Sequence, residues 1–368
     1  MNKSDVNITS LFPIYFPGFV WYYEFNRLLI RTIVLFVRVI SMGIKISDVA
    51  AHAGVSTATV SHVVNQTRFV SVDTQRRVRE AIRELGYTPN ASARTLKTGK
   101  THMIGIVIPD IANQFFSSIV QQVEDVVGKS GNCLVIANTK ETCSIEQTHI
   151  KNLTAGITDG IILASAAEQY SDIQNYIPRG FPCVFFDRKL GGGAHDTITI
   201  SSAQAMRNAT AALIERGHSK IGYISGLSKI STTSERLTAF TETLERYGLP
   251  IDPDKIQHGD SISLRTSAAI DSLLAQNCTA IVTSNNLMSL QASYRLSSLG
   301  INIGRDVDLL VYKDYEFYNS FLSHCDMIVQ PVIEFGNAIG EAILERIEHP
   351  DAPIKELVLT SVFQTKTT

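Results

Sequence analysis

The stretch ISDVAAHAGVSTATVSHVV, residues 46–64, decides how the first part of the chain is read. Its apolar residues recur at helical spacing in two short runs, with Gly54-Val55-Ser56 between them. The pattern predicts a first helix capped by Ser47, with Val49, Ala50 and Ala53 inward and Gly54 closing it. Ser56 is expected to cap a second helix, Thr57 to Val64, with Val60, Val63 and Val64 inward. Its outward face carries Thr57, Ala58, Ser61 and His62, side chains short enough to approach base edges, on a helix whose free N-terminus suits phosphate.

A third helix is predicted from about Asp73 to Leu85, capped by Ser71 and ended by Gly86, with Val78, Ala81, Ile82 and Leu85 on one face. Arg76, Arg77, Arg79 and Arg83 occupy its other faces. Basic residues on a helix are ordinarily a solvated surface, and many three-helix units look alike. The Ala-x-x-x-Gly-Val-Ser run, with helices of the right length on both sides, singles out a helix-turn-helix.

Charge divides along the chain in the same sense. Residues 44–100 hold nine Lys or Arg against four Asp or Glu, whereas residues 101–368 hold twenty against twenty-nine. A basic head on an acidic body predicts one end that meets phosphates and one that does not. The composition, 44% hydrophobic and 18% charged, is that of a globular protein, and 368 residues imply two or three domains.

From Met103 onward, strand-like runs at 103–108, 133–137, 160–164, 183–186, 220–224, 279–283 and 307–311 alternate with amphipathic stretches at 115–128, 203–216, 234–247, 287–299 and 333–347. Regular alternation implies parallel sheets covered by helices. Its length implies two lobes, with ligand expected where strands end at their carboxyl side. The fold expected is an all-α helix-turn-helix domain followed by a two-lobed α/β domain like that of periplasmic binding proteins. The domain expectation is a leader over 1–43, a DNA-binding domain over 44–88, a hinge or linker over 89–101, and an effector-binding and dimerisation domain over 102–368.

Several features are assigned no chemistry. Gly99-Lys100-Thr101 is not a phosphate loop, because Arg94 stands where its first glycine belongs and no strand precedes it. Cys133, Cys143, Cys183, Cys278 and Cys325 are widely spaced and odd in number, and are read as reduced thiols in a cytoplasmic protein; no metal or cofactor is expected. Residues 11–40 are apolar and aromatic, but Pro13, Pro17, Glu24, Arg27, Arg31 and Arg38 interrupt every span. Met42 precedes a well-formed domain start, so residues 1–41 are read as an over-extended reading frame; a membrane-associated leader is the alternative.

With those residues in view, the chain resembles the lac repressor and purine repressor family of bacterial regulators. The resemblance rests on ISDVAAHAGVSTATVSHVVN, ELGYTPN, GIVIPDIANQFF, ALIERGHSKIGYISG, ERLTAF and AIVTSNNLMSLQA, in that order. It implies that Thr57, Ala58 and His62 read bases in the major groove. Ser56, Thr59, Ser61, Asn65 and Thr74 match backbone-contacting or supporting positions. His62 departs from the arginine common there, so one contact replaces a bidentate one and the operator is expected to differ. Leu96 matches the hinge leucine that wedges into the minor groove, with Ala93 beside it and Asn90 before them.

For the effector, the resemblance implies Phe115, Phe116, Asp187, Arg236 and Asn285. Each has a plain structural reading too: core for the phenylalanines, a turn for Asp187, a surface ion pair for Arg236. Lys313 stands where many relatives place an aspartate that holds sugar hydroxyls or a purine. Its charge near Arg236 suggests a sugar acid or keto-sugar acid, a branch to which Tyr315-Glu316 also points; alternatively Lys313 faces solvent and Asp314 makes the contact. The expected partners are near-palindromic operator DNA, a sugar or sugar-acid effector and a second copy of the chain, with no membrane partner. An enzyme is disfavoured by the missing nucleophile elbow and dinucleotide loop. A transport-type binding protein is disfavoured by the basic head. A regulator that has lost its effector response stays open.

Overall fold

The computed structural model describes residues 44–65, 67–88, 95, 98–192, 195–260, 265–313 and 324–366. The leader, the hinge residues Asn90, Ala93 and Leu96, and Asp314 with Tyr315-Glu316 lie outside them. The chain separates into two compact units, one running to residue 94 and one from Thr95 onward. Among the described residues no helix is long and apolar enough to cross a membrane.

The first unit is built from α1 (Ile46–Ala53), α2 (Thr57–Asn65) and α3 (Val72–Leu85). Its core is small: Val49, Ala50, Ala53, Val60, Val63, Val78 and Ala81 are buried, and Val64, Ile82 and Leu85 pack against them. With so little apolar area to bury, the helix ends carry weight. Gly54 adopts φ 65° and Gly86 φ 63°, each ending its helix in the left-handed region. Ser56 Oγ accepts from Thr59 N at 3.1 Å, and Ser71 Oγ from Thr74 N at 3.4 Å. The expected Ser47 cap is corrected: Lys45 precedes the first turn and Asp48 reaches back to its N–H at 2.8 Å, leaving Ser47 inside the helix. Starting the helix one residue before Ser47 places the Asp48 carboxylate in the first turn, where it accepts from the Lys45 N–H and its negative charge is favoured by the helix dipole.

The second unit holds two six-stranded sheets. Its elements are β1 (Met103–Ile108), α4 (Gln114–Lys129), β2 (Cys133–Asn138), α5 (Cys143–Thr154), β3 (Gly160–Leu163), β4 (Cys183–Phe186) and β5 (Asp196–Ser201). They continue with α6 (Ala203–Glu215), β6 (Ile221–Ser225), α7 (Ser231–Arg246), β7 (Ile256–His258), α8 (Arg265–Ala275), β8 (Ala280–Thr283), α9 (Asn286–Ser298) and β9 (Asp308–Lys313). The last are β10 (Asp326–Val329), α10 (Val332–Glu348), β11 (Glu356–Thr360) and β12 (Val362–Gln364).

The first sheet has order β11-β5-β4-β3-β1-β2 and is parallel throughout. The second has order β12-β10-β9-β8-β6-β7 and is parallel except for β12 against β10. Fully buried runs such as GIIL and CVFF are what a sheet covered on both faces demands. The chain passes between lobes at 201–203, 330–332 and 360–362, because α10 packs on the first sheet and α6 on the second. Ser202 Oγ and Ser361 Oγ lie 2.9 Å apart across two of these crossings.

Candidate functional site

In the first unit, α2 presents Ser56, Thr57, Ala58 and Asn65 to solvent, while Thr59, Ser61 and His62 are half-buried. The second-helix side chains are held by local bonds. Asn65 Nδ2 donates to Ser61 O at 2.9 Å and lies 3.2 Å from Ser61 Oγ. His62 Nδ1 lies 2.8 Å from Thr67 Oγ1. That bond occupies one ring nitrogen and fixes the ring, so Nε2 alone is left for an outside group. Thr67 was not found from the sequence, because it lies beyond the helix that the periodicity marks.

In the second unit, a cavity of about 260 Å³ opens between the lobes. The loops that line it leave the carboxyl ends of strands in both sheets, where a parallel sheet leaves a crevice for ligand. Asn113 follows β1, Glu141 follows β2, Asp187 and Arg188 follow β4, Ser284 and Asn285 follow β8, and Gln330 follows β10. Gly259 follows β7 and must be glycine: a Cβ there would meet Ile224 Cγ2 at 2.7 Å and Thr266 Oγ1 at 2.8 Å.

Five effector residues expected from sequence, Phe115, Phe116, Asp187, Arg236 and Asn285, line this cavity. Lys313 is not among the lining residues; its carbonyl accepts from Gln330 N at 3.2 Å. The phenylalanine rings belong as much to the core as to the cavity. Phe115 and Phe116 pack edge to face with centroids 5.2 Å apart, and each also contacts Phe335 or Phe186.

The charged groups set the cavity's chemistry. Asp187 adopts φ 65°, a strained conformation for a residue with a Cβ, and is buried. Burial pushes its carboxyl above the usual range, Arg188 and Arg236 pull it back only in part, and Glu141 adds to the rise. Arg188 is gripped by Glu141 through two bonds of 2.8 and 2.6 Å, and donates to Ser165 O at 3.0 Å. Arg236 donates to Ser284 O at 2.6 Å and lies 4.3 Å above the Tyr312 ring.

Three donors remain. Arg188 Nε, Arg236 Nε and Gln330 Nε2 are buried with no hydrogen-bond acceptor among the described residues. Arg188 Nε lies 3.7 Å from Asp187 Oδ2, an ion-pair distance rather than a hydrogen bond. Asn285 spends Oδ1 on Met288 N at 2.8 Å, capping α9 and leaving its amide nitrogen for the cavity. Across the cleft, Asn286 Nδ2 donates to Asn113 Oδ1 at 2.9 Å and Lys189 N to Ser231 Oγ at 3.1 Å.

Arg188, Glu141, Asn113 and Gln330 were missed from sequence. Arg188 sits directly after Asp187, but the partner that turns it inward is Glu141, 47 residues earlier.

Comparison with known proteins gives a consistent answer for both units. Residues 45–90 match the family described as "Bacterial regulatory proteins, lacI family". Residues 101–367 match "Periplasmic binding proteins and sugar binding domain of LacI family". The chain is similar to the HTH-type transcriptional repressor PurR of Aliivibrio salmonicida, 33% identical over 306 residues covering 82% of this chain and 92% of that protein. Its structure is similar to a lac repressor dimer bound to operator and an anti-inducer (TM-score 0.75, 24% identity, 89% of this chain and 99% of that one). It is also similar to the transcriptional regulator CelR in complex with cellobiose (TM-score 0.65, 27% identity, 88% and 99%).

Proposed function

The chain belongs to the lacI family of bacterial regulatory proteins, and from that premise we propose that its hold on a near-palindromic operator is controlled by a hydroxyl-rich small molecule, a sugar or sugar acid, in the interlobe cavity. It is a DNA-binding transcription regulator and not an enzyme.

One observation carries the ligand class. The cavity sets a buried carboxylate, Asp187, beside three buried donors, Arg188 Nε, Arg236 Nε and Gln330 Nε2. A group that both donates and accepts satisfies such a mosaic, and a sugar hydroxyl does both. A carboxylate on the ligand would add an acceptor for the guanidinium forks. A flat heterocycle fits less well, because the Phe115 and Phe116 rings already pack within the core. At about 260 Å³ the cavity suits a small molecule, below the roughly 300–1,000 Å³ of typical ligand pockets.

On the DNA side, Thr57, Ala58 and His62 read bases, and Ser56, Thr59, Ser61, Asn65 and Thr74 hold the backbone. Asn90, Ala93 and Leu96 act at the operator centre. Two copies bind together: Leu290 and Tyr294, one turn apart on α9, are 45% and 77% exposed and offer the apolar face a homodimer would cover. Ligand relieves repression by changing the lobe arrangement.

Thermal unfolding of the full chain against neutral sugars, sugar acids and purines tests the ligand class. A shift of several degrees with a sugar or sugar acid is the expected result. Stabilisation by purines alone would sink the class while leaving the DNA assignment standing. Operator binding measured with and without the stabilising compound then separates inducer from corepressor.

A further inference from the structure

Strand β3 runs from the point where the chain enters the second unit towards Ser165, which bonds to Arg188 of the cavity lining. At its carboxyl end, Ser165 O accepts from Arg188, and Ala166 N donates to Glu146 Oε2 at 2.9 Å. The strand between, Gly160–Leu163, is buried throughout, with Ile161, Ile162 and Leu163 fully inaccessible. It is about 13 Å of close-packed backbone, paired with β1 on one side and β4 on the other.

At its amino end stands Asp159. One carboxylate oxygen accepts from Thr101 N at 2.7 Å and Thr101 Oγ1 at 2.9 Å; the other accepts from His102 N at 2.8 Å. Its own N–H donates to Met103 O at 2.7 Å. His102 is held at φ 58° by this grip, while its carbonyl accepts from Cys133 N at 2.9 Å. A strained residue tied on both sides marks a point the fold over-determines.

We propose that Asp159 is a positioning residue for regulation: it fixes the linker's attachment to β3, so that a shift of the Arg188 loop on ligand binding reaches the linker as displacement of Thr101. This rests on the reading of the interlobe cavity as the ligand site. Charge-assisted bonds to two consecutive backbone N–H groups make the attachment stiff. Loss of the carboxylate leaves the ligand site and the DNA-reading helices untouched and uncouples them.

The test uses the full chain, an operator duplex selected by the parent protein from a random-sequence pool, and D-glucose, D-gluconate, D-glucuronate and hypoxanthine as ligand probes. For the compound that stabilises the parent, operator affinity is measured with and without it in the parent, Asp159→Asn and Thr101→Val. The parent ratio is expected in the roughly 5–150-fold range of allosteric pairs. Asp159→Asn is expected to bring it to about threefold or less, with the compound's own Kd within about twofold, and Thr101→Val to fall between. Unchanged ratios in both variants overturn the proposal, and so does a parallel loss of compound binding in Asp159→Asn. If that variant does not fold, Thr101→Val decides alone by the same criterion. If no probe stabilises the parent, the cavity reading fails and the proposal falls with it.

Discussion

The two units offer opposite means of recognition. The helix proposed to read DNA carries short side chains, exposed or half-buried, two of them held by a neighbour within a few residues, Asn65 by Ser61 and His62 by Thr67. The interlobe cavity is lined by buried charges gathered from segments far apart in sequence, with Arg188 and Arg236 both less than a tenth exposed. An exposed contact exchanges water for ligand and is cheap to alter singly. A buried charge that loses its partner carries its whole desolvation cost, so effects of substitution are expected to be large in the cavity and graded on the helix.

The steepest break in that contrast is expected at Arg236. Arg236→Met should cost about 2–5 kcal/mol of ligand binding, because the cavity loses one of its two buried guanidinium groups and Asp187 keeps only Arg188 as a cationic neighbour, and calorimetric titration with the stabilising compound reads it directly. An effect under a factor of three would place Arg236 in a structural role. Asp187→Asn should weaken the ligand by about tenfold or more and yet stabilise the unliganded protein at pH 7. Ionising Asp187 in the fold is costly, and below about pH 4 the carboxyl is protonated in both folded and unfolded states, so the stabilisation should vanish there and grow as pH rises. Melting curves from pH 3 to 8 check the sign; a variant less stable than the parent at pH 7 would contradict it.

On the helix, His62→Ala is expected to remove about 1–3 kcal/mol of discrimination at one base-pair position and leave the others unchanged, measured by competition among single-substitution operators. Smallest is Ser56→Ala, which should cost about 1 kcal/mol of stability in the first unit through the lost cap, with unaltered operator preference. A change of preference there would mean that Ser56 reads sequence.

The same contrast explains what was legible in the sequence. The helix-turn-helix could be read because its two helices, their turn and the outward face sit within twenty consecutive residues, and only its first cap was misplaced, the helix starting before Ser47. The central strands were legible as continuous apolar runs. The short β7 was not, nor were β10 and β12 of the second sheet, nor β5 and β11, which pair with each other at one edge of the first sheet; the mixed polar sequences DTITIS and ELVLT gain meaning only from that pairing. In the cavity, Asp187 and Arg236 were accessible through resemblance. Glu141's grip on Arg188 and the orphaned Gln330 amide were not, because they exist only once the strands are laid side by side. Lys313 drew attention by its charge, while the charges that line the cavity stand on a helix and on loops after other strands.

The repeated crossing between lobes also orders events during synthesis. α3 ends at Leu85, so the DNA-reading helices are complete early, whereas the first sheet of the regulatory unit lacks its edge strand until Thr360 has been made. Neither lobe is a continuous stretch of chain, and the first must wait, with its α10 seat open, while the second is translated. A nascent or prematurely ended chain would therefore own folded DNA-reading helices before it owns anything able to pair them or to release them.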